Sequence, residues 1–269
     1  MSEFRPGRFE ILPMVIKNLL IINGLVFLAQ KTLGPVFGES LTDLFALHYW
    51  GSDLFRPHQL VTHLFMHGSL GHLFMNMFTL WMFGATLENV WGPKRFLIFY
   101  MICGLGAALL HMGVLTYENV NLARDVHAFL ADPSRSNFSV LQRNYDLVLG
   151  QQYELVNYPS SPEQMTYAKA FLQRFLEEYR DTATLGASGA VYGILFAFGY
   201  LFPNSLIFLY FFIPLKAKYF VGILIVLELW SGFQNSAGDN VAHFAHLGGV
   251  LFSYLLLRIW NKKNRSHFY

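Results

Sequence analysis

Long apolar runs, and the few polar residues that interrupt them, define how this chain is organised. Six stretches approach the roughly 20 mostly apolar residues that a helix needs to cross a hydrocarbon core. They cover residues 14–33, 69–88, 95–115, 185–202, 217–233 and 241–260, the fourth and fifth being short. SLIFLYFFI (205–213) is too short to span and is expected to lie at the membrane interface. The stretch after MSEFRPGRFEILP carries no small-residue cleavage site and reads as a retained first span, not a removed leader. The pattern predicts an all-α membrane protein of six transmembrane helices.

Two longer segments separate these runs. Residues 34–68 include FALHYWGSDLFRPHQLVTHLF, too apolar to be freely solvated and expected to sit partly in the outer leaflet. Residues 117–183 are charged and broken in two by PSSPE. Within them, KAFLQRFLEEYR (169–180) places Phe171, Leu172, Phe175 and Leu176 on one helical face. This is an extramembrane helical insert between the third and fourth spans. The expected division is 1–116 for spans one to three, 117–183 for the insert, 184–262 for spans four to six, and 263–269 for a tail.

Composition supports the membrane reading. Of 269 residues, 54% are hydrophobic, 17% aromatic and only 13% charged, where soluble domains carry about a quarter charged. A net charge of +2 gives no reason to invoke nucleic acid. The single cysteine, Cys103, lies in an apolar run and reads as a small buried hydrophobe. Arg5 and Arg8, Lys94 and Arg95, Lys216 and Lys218, and the Arg258–Arg265 group fall on one side if both termini are cytoplasmic. The expected location is a bacterial inner membrane, with a site opening to the outer face.

In that topology spans two, four and six all begin at the outer face, and polar residues cluster near those beginnings. His72 and Asn76 are four apart and share a face of span two. Ser188 opens span four within TLGASGAVYG, and His246 lies early in span six. Gly189 and Gly193 form a small-residue ridge beside Ser188, while Ala242, His246, Gly249 and Ser253 form a stripe on span six. Such ridges let transmembrane helices approach closely. Two readings of Ser188 stay open on these grounds: a packing residue, or a nucleophile activated by the adjacent imidazole of His246. In the second reading His72 and Asn76 could face a developing oxyanion, and Tyr192, one turn below Ser188, could hold the imidazole ring. No carboxylate is evident beside His246, so a dyad is predicted and not a triad.

Rival chemistries lack their motifs. His63 and His67 sit one turn apart and could ligate zinc, but there is no H-E-x-x-H. They read instead as interfacial hydrogen-bonding groups. SAGD (236–239) lacks the first glycine of an aspartyl G-x-G-D, and GASGA lacks the last glycine of a G-x-S-x-G elbow.

GASG (186–189) with Tyr192, HLFMN (72–76) and AHLGG (245–249), in order on spans two, four and six, resemble the rhomboid intramembrane serine proteases. The resemblance implies Ser188 as nucleophile and His246 as base. It further implies His72, Asn76 and the Ser188 backbone N–H as oxyanion donors, with Gly186, Tyr192 and Gly249 in support. It implies no metal or organic cofactor. The substrates would be single-pass transmembrane proteins in the lipid bilayer, cut near the outer membrane face. The alternative is a non-catalytic relative that binds transmembrane clients. The chain departs from the family in the 117–183 insert, and in carrying His58-Gln59 where a Trp-Arg pair is common.

Overall fold

A computed structural model describes residues 9–33, 41–153, 157–209, 212–234 and 243–264. The fold is mostly helical, and a helix occupies each of the six apolar stretches. The first is α1 (Met14–Thr32); α2 (Leu41–Phe45) and α3 (Gln59–Thr62) follow in the loop, with a 3-10 turn at His63–Phe65. The second stretch runs as α4 (Leu70–Thr79), a π-helical turn (Leu80–Gly84) and α5 (Ala85–Trp91). Next come α6 (Pro93–Ala131), α7 (Arg135–Tyr153), α8 (Pro162–Arg180) and α9 (Ser188–Leu201). Strands β1 (Leu206–Leu209) and β2 (Ile213–Lys216) lead to α10 (Ala217–Gln234) and α11 (His243–Asn264). Among the described residues two helices, α1 and α6, are by themselves long and apolar enough to cross a membrane.

The centre of the fold is a three-helix contact among α6, α9 and α11, with α10 packed on α9 and α11. Exposed apolar side chains ring this body, including Ile21, Leu25 and Leu28 on α1, and Ile223, Val226 and Trp230 on α10. That is the surface of a helix bundle solvated by lipid.

α1 is fastened to the second stretch by a buried carboxylate. Glu88 accepts from the Val15 N–H at 2.8 Å and the Ile16 N–H at 2.9 Å. These are two of the amides that a helix leaves unpaired at its start, and an anion there also suits the helix dipole.

The region 117–183 begins without a break in the backbone. α6 continues unbroken past residue 117 to Ala131, so the third apolar stretch and the insert share one helix. On its extension pack α7, kinked at Tyr145, and α8. Phe129, Phe138, Phe171, Leu172 and Phe175 form the heart of a separate small core, and the face expected for residues 169–180 is the one buried. The described part of SLIFLYFFI forms an antiparallel hairpin in which Leu206 pairs with Lys216 and Leu209 with Ile213. Alternating branched and aromatic residues suit a strand, and length alone had pointed only to an interfacial segment. SAGD (236–239) and Ala242 lie outside the described residues.

The first loop is organised by Gln59, one of the two residues that depart from the family pair. Its fully buried amide is used at both ends. Oε1 accepts from the N–H groups of His48 and Arg56, and Nε2 donates to the carbonyls of Asp43 and Leu54, both at 2.9 Å. Replacing Gln59 with alanine strands these buried backbone groups at about 1–3 kcal/mol for each left unpaired. Gln59→Ala is therefore expected to lower the thermal unfolding midpoint in detergent by several degrees. An unchanged midpoint would mean that water or other partners serve the loop instead.

Candidate active site

The approach to Ser188 is fixed before its helix begins. Thr184 and Leu47 exchange backbone hydrogen bonds at 2.8 Å, and the Gly186 N–H donates to the His63 carbonyl at 3.0 Å. At Gly186 the backbone takes φ +124°, a conformation that L side chains rarely adopt. A Cβ there would also strike the His72 ring, 2.8 Å from Nε2. This turn delivers Ser188 as the first residue of α9, so its own backbone N–H is among those with no intrahelical partner.

His246 lies in the first turn of α11, with Nε2 2.9 Å from the Ser188 Oγ. The two helices can come this close because glycine meets glycine. A Cβ on Gly249 would fall 1.8 Å from the Gly189 carbonyl oxygen. On the same stripe, Ser253 donates to the Gly193 carbonyl at 2.8 Å. Tyr192 stacks on the His246 imidazole at 4.1 Å between centroids and 8° between planes.

The expectation that no carboxylate faces His246 is overturned. Glu228 on α10 places Oε2 3.0 Å from His246 Nδ1 and 2.6 Å from His243 Nδ1. Tyr192 donates its hydroxyl hydrogen bond to the same carboxylate. The approach to His246 is bent, within ion-pair distance but away from the ideal hydrogen-bond angle. Ser188, His246 and Glu228 thus form a continuous polar line across α9, α11 and α10.

On the other side of Ser188 stands α4, which packs on α9. His72 is held in its first turn, where its N–H donates to Ser69 Oγ at 3.1 Å. Its ring and the Ser188 Oγ both flank Gly186. Asn76, one turn on, is buried, and its Nδ2 has no partner among the described residues. A buried amide donor left open in an apolar body is costly unless something else is to bind it.

His63 and His67, weighed as metal ligands, make other contacts. His63 Nδ1 donates to the Gln59 carbonyl at 2.8 Å, and the His67 ring meets His72 edge-on at 5.1 Å. Burial pushes both imidazoles down to about 4, so both are neutral at neutral pH. His63 also lines a small cavity beside Ser188, with Thr184 and His111, whose Nε2 lies 2.9 Å from Thr184 Oγ1. The one His/Cys/Asp/Glu cluster among the described residues with ligand atoms close together is Glu228, His243 and His246. Its 2.6 Å separation suits a hydrogen bond. Ligands about 2.0–2.1 Å from a tetrahedral ion stand roughly 3.3 Å apart.

A family profile described as "Rhomboid domain" matches residues 54–128 and 155–262. The chain belongs to the rhomboid family. The gap in that match falls inside the insert. Among its relatives, RHOMBOID-like protein 12, mitochondrial, of Arabidopsis thaliana is 26% identical over 240 residues, covering 88% of this chain and 55% of the relative. A mitochondrial rhomboid protein of Schizosaccharomyces pombe is 26% identical over 284 aligned positions, covering 96% of this chain and 69% of the relative. Rhomboid protein 1, mitochondrial, of Saccharomyces cerevisiae is 27% identical over 196 residues, covering 71% and 38%. This rhomboid chain therefore spans about half the length of the Arabidopsis relative. All three names say mitochondrial, which overturns the expected bacterial inner membrane and, with it, the cytoplasmic placement of the termini.

The helix contact yields a direct test. A methyl group at Gly249 meets a backbone carbonyl, which no side-chain rotation can relieve, and overpacking of this kind costs about 1–3 kcal/mol or more. Gly249→Ala should lower the thermal midpoint markedly. Gly222→Ala, on α10 with nothing within 4 Å of the added carbon, should leave it unchanged or slightly raised. Equal midpoints for the two variants would contradict a backbone contact at Gly249.

Proposed function

We propose that this rhomboid is an intramembrane serine endopeptidase that cuts transmembrane helices of single-pass proteins within a mitochondrial membrane. The observation that carries this reading is the 2.9 Å hydrogen bond between Ser188 Oγ and His246 Nε2, inside a chain of this family. All six helical stretches cross the bilayer in this reading, and the site lies near the face at which α4, α9 and α11 begin. A mitochondrial membrane follows from the names of the relatives.

The reaction is acyl transfer. His246 Nε2 takes the Ser188 proton as Oγ attacks the carbonyl carbon of the scissile peptide. The resulting oxyanion is met by the Ser188 N–H at the start of α9, by Asn76 Nδ2 and by His72. His246 then passes its proton to the departing amine, leaving an acyl-serine. Water, activated by the same imidazole, hydrolyses the ester and restores Ser188. The carbonyls of a helical substrate are engaged in hydrogen bonds, so local unwinding precedes attack, and substrate helices weakened by small residues are favoured.

The non-catalytic alternative has no observation in its favour: serine and histidine are both present and bonded. Fluorophosphonate labelling and cleavage of a transmembrane reporter in proteoliposomes decide between the two. Wild type is expected to be labelled and active, Ser188→Ala to be neither, and His246→Ala to be severely slowed in both. Label retained by Ser188→Ala would exclude it as nucleophile, and an inert wild type would support client binding.

Asn76→Ala removes one oxyanion donor and should lower kcat by roughly ten- to a thousandfold. The reporter KM should change little, because the donor acts on charge that develops only in the transition state. Unchanged kcat would take Asn76 out of the site.

A further inference from the structure

We propose that Glu228 is a positioning residue for the Ser188–His246 pair, fixing the tautomer of His246 and stabilising the imidazolium that forms when Ser188 attacks. This rests on the proteolytic reading above.

A carboxylate in the bundle of a membrane protein is costly and stays only where donors surround it. Glu228 has two, the Tyr192 hydroxyl from α9 and Nδ1 of His243 from α11, and Nδ1 of His246 stands 3.0 Å away. Simple helix fastening would need only an amide or a hydroxyl at this point. An ionised carboxylate differs in being an acceptor only. Facing His246 Nδ1 at 3.0 Å, it favours a proton on that nitrogen. The lone pair is then on Nε2, where Ser188 Oγ stands 2.9 Å away. An Nε2-protonated tautomer could not accept the serine proton at all.

Tyr192 holds this arrangement from two directions. Its ring lies flat on the imidazole while its hydroxyl binds the carboxylate that faces the imidazole edge. The bent approach to His246, beside the shorter contact to His243, means that Glu228 is shared in the resting state. When His246 gains a proton, its Nδ1–H becomes the stronger donor, and the carboxylate is already within reach. Little reorganisation is then needed as charge develops.

The titratable groups around the pair are Tyr192 on α9, His243 on α11, His72 on α4 and His111 on α6. None of these four elements supplies a second anion from among these groups. Among these groups Glu228 is the one carboxylate facing His246, and removing its charge disfavours the imidazolium that forms as Ser188 attacks.

The test measures kcat, KM and second-order fluorophosphonate labelling rates against pH, for wild type, Glu228→Gln and Glu228→Asp in proteoliposomes. Glu228→Gln is expected to lower the plateau kcat at least tenfold and up to about 10⁴-fold, as when a triad carboxylate becomes an amide. KM should stay close to wild type, and the acid limb of the profile should move to lower pH. Glu228→Asp keeps the charge at shorter reach, so it should recover part of kcat and leave the acid limb near the wild-type position. A Glu228→Gln protein with wild-type kcat and an unmoved acid limb overturns the proposal, as does an aspartate no better than the amide.

Should Glu228→Gln fail to fold, the imidazole ¹⁵N spectrum of wild type decides, with the His246 signals assigned by difference from His246→Ala. A neutral His246 protonated at Nδ1 is the expected result, and protonation at Nε2 overturns the proposal. A wild type that takes no label fails at the proteolytic reading, before Glu228 is tested, and the proposal falls with it.

Discussion

The candidate site depends on one contact in which side chains are absent. Where α9 and α11 cross, Gly249 faces the backbone of Gly189, and even a methyl group would overlap the carbonyl oxygen. Among helices in lipid, association rests on van der Waals packing and inter-helix hydrogen bonds instead of on release of water, so backbone contact is a strong form of attachment. The Ser253–Gly193 bond lies further along the same seam and fixes its register. One residue of slip along α11 moves His246 by about 1.5 Å, enough to break its hydrogen bond with Ser188. α6 closes the third side, with Ala107 against both Gly189 and Gly248. The serine and the histidine meet because glycine and alanine fill the space between three helices.

Buried carboxylates in this body take opposite roles, set by their donors. Glu88 receives two backbone N–H groups at the start of α1 and fastens that helix. Glu228 receives side chains that can themselves change protonation. The first is a structural anchor because amides do not titrate. The second is the one that suits the proposed chemistry, because imidazoles do. Asn76 stands against both, with a buried donor that no described residue satisfies.

Much of this was legible in the sequence, for definite physical reasons. Apolar runs of span length mark the helices, since backbone groups in hydrocarbon must bond within their own segment. Four-residue spacing put His72 and Asn76 on one face, and the glycines beside Ser188 and His246 announced the seam. Glu228 stood out as a costly polar residue within its span, but its place beside His246 escaped because α10 runs opposite to α4, α9 and α11. Only on counting towards its end, and not from its beginning, does Glu228 fall at the depth of Ser188. Gln59 and Glu88 bond to backbone groups far along the chain, so no local spacing reveals them. The continuity of α6 across residue 117 was not legible, because the charge that begins there changes the solvent and not the backbone. The hairpin was missed because a short apolar run fits strand and helix alike. Membrane identity is not written in the apolar pattern at all, and charge asymmetry pointed to a bacterial membrane that the names of the relatives contradict.

The insert bears on the site through its end. His48 donates from Nδ1 to the Asp181 carbonyl at 2.9 Å, and Ser52 donates to the Asp181 carboxylate at 2.7 Å. Three residues later Thr184 pairs with Leu47, and two after that Gly186 bonds to His63. The chain leaving α8 is therefore stitched to the first loop at each step before it reaches Ser188. The same loop is ordered around Gln59, whose amide spans from His48 to Leu54. The position of Ser188 is thus set from below by the glycine seam and from above by a loop that glutamine holds together. This chain can carry a long insert directly before the helix that Ser188 opens because the insert ends on this loop, and its internal core, built on the far extension of α6, is separate from the seam.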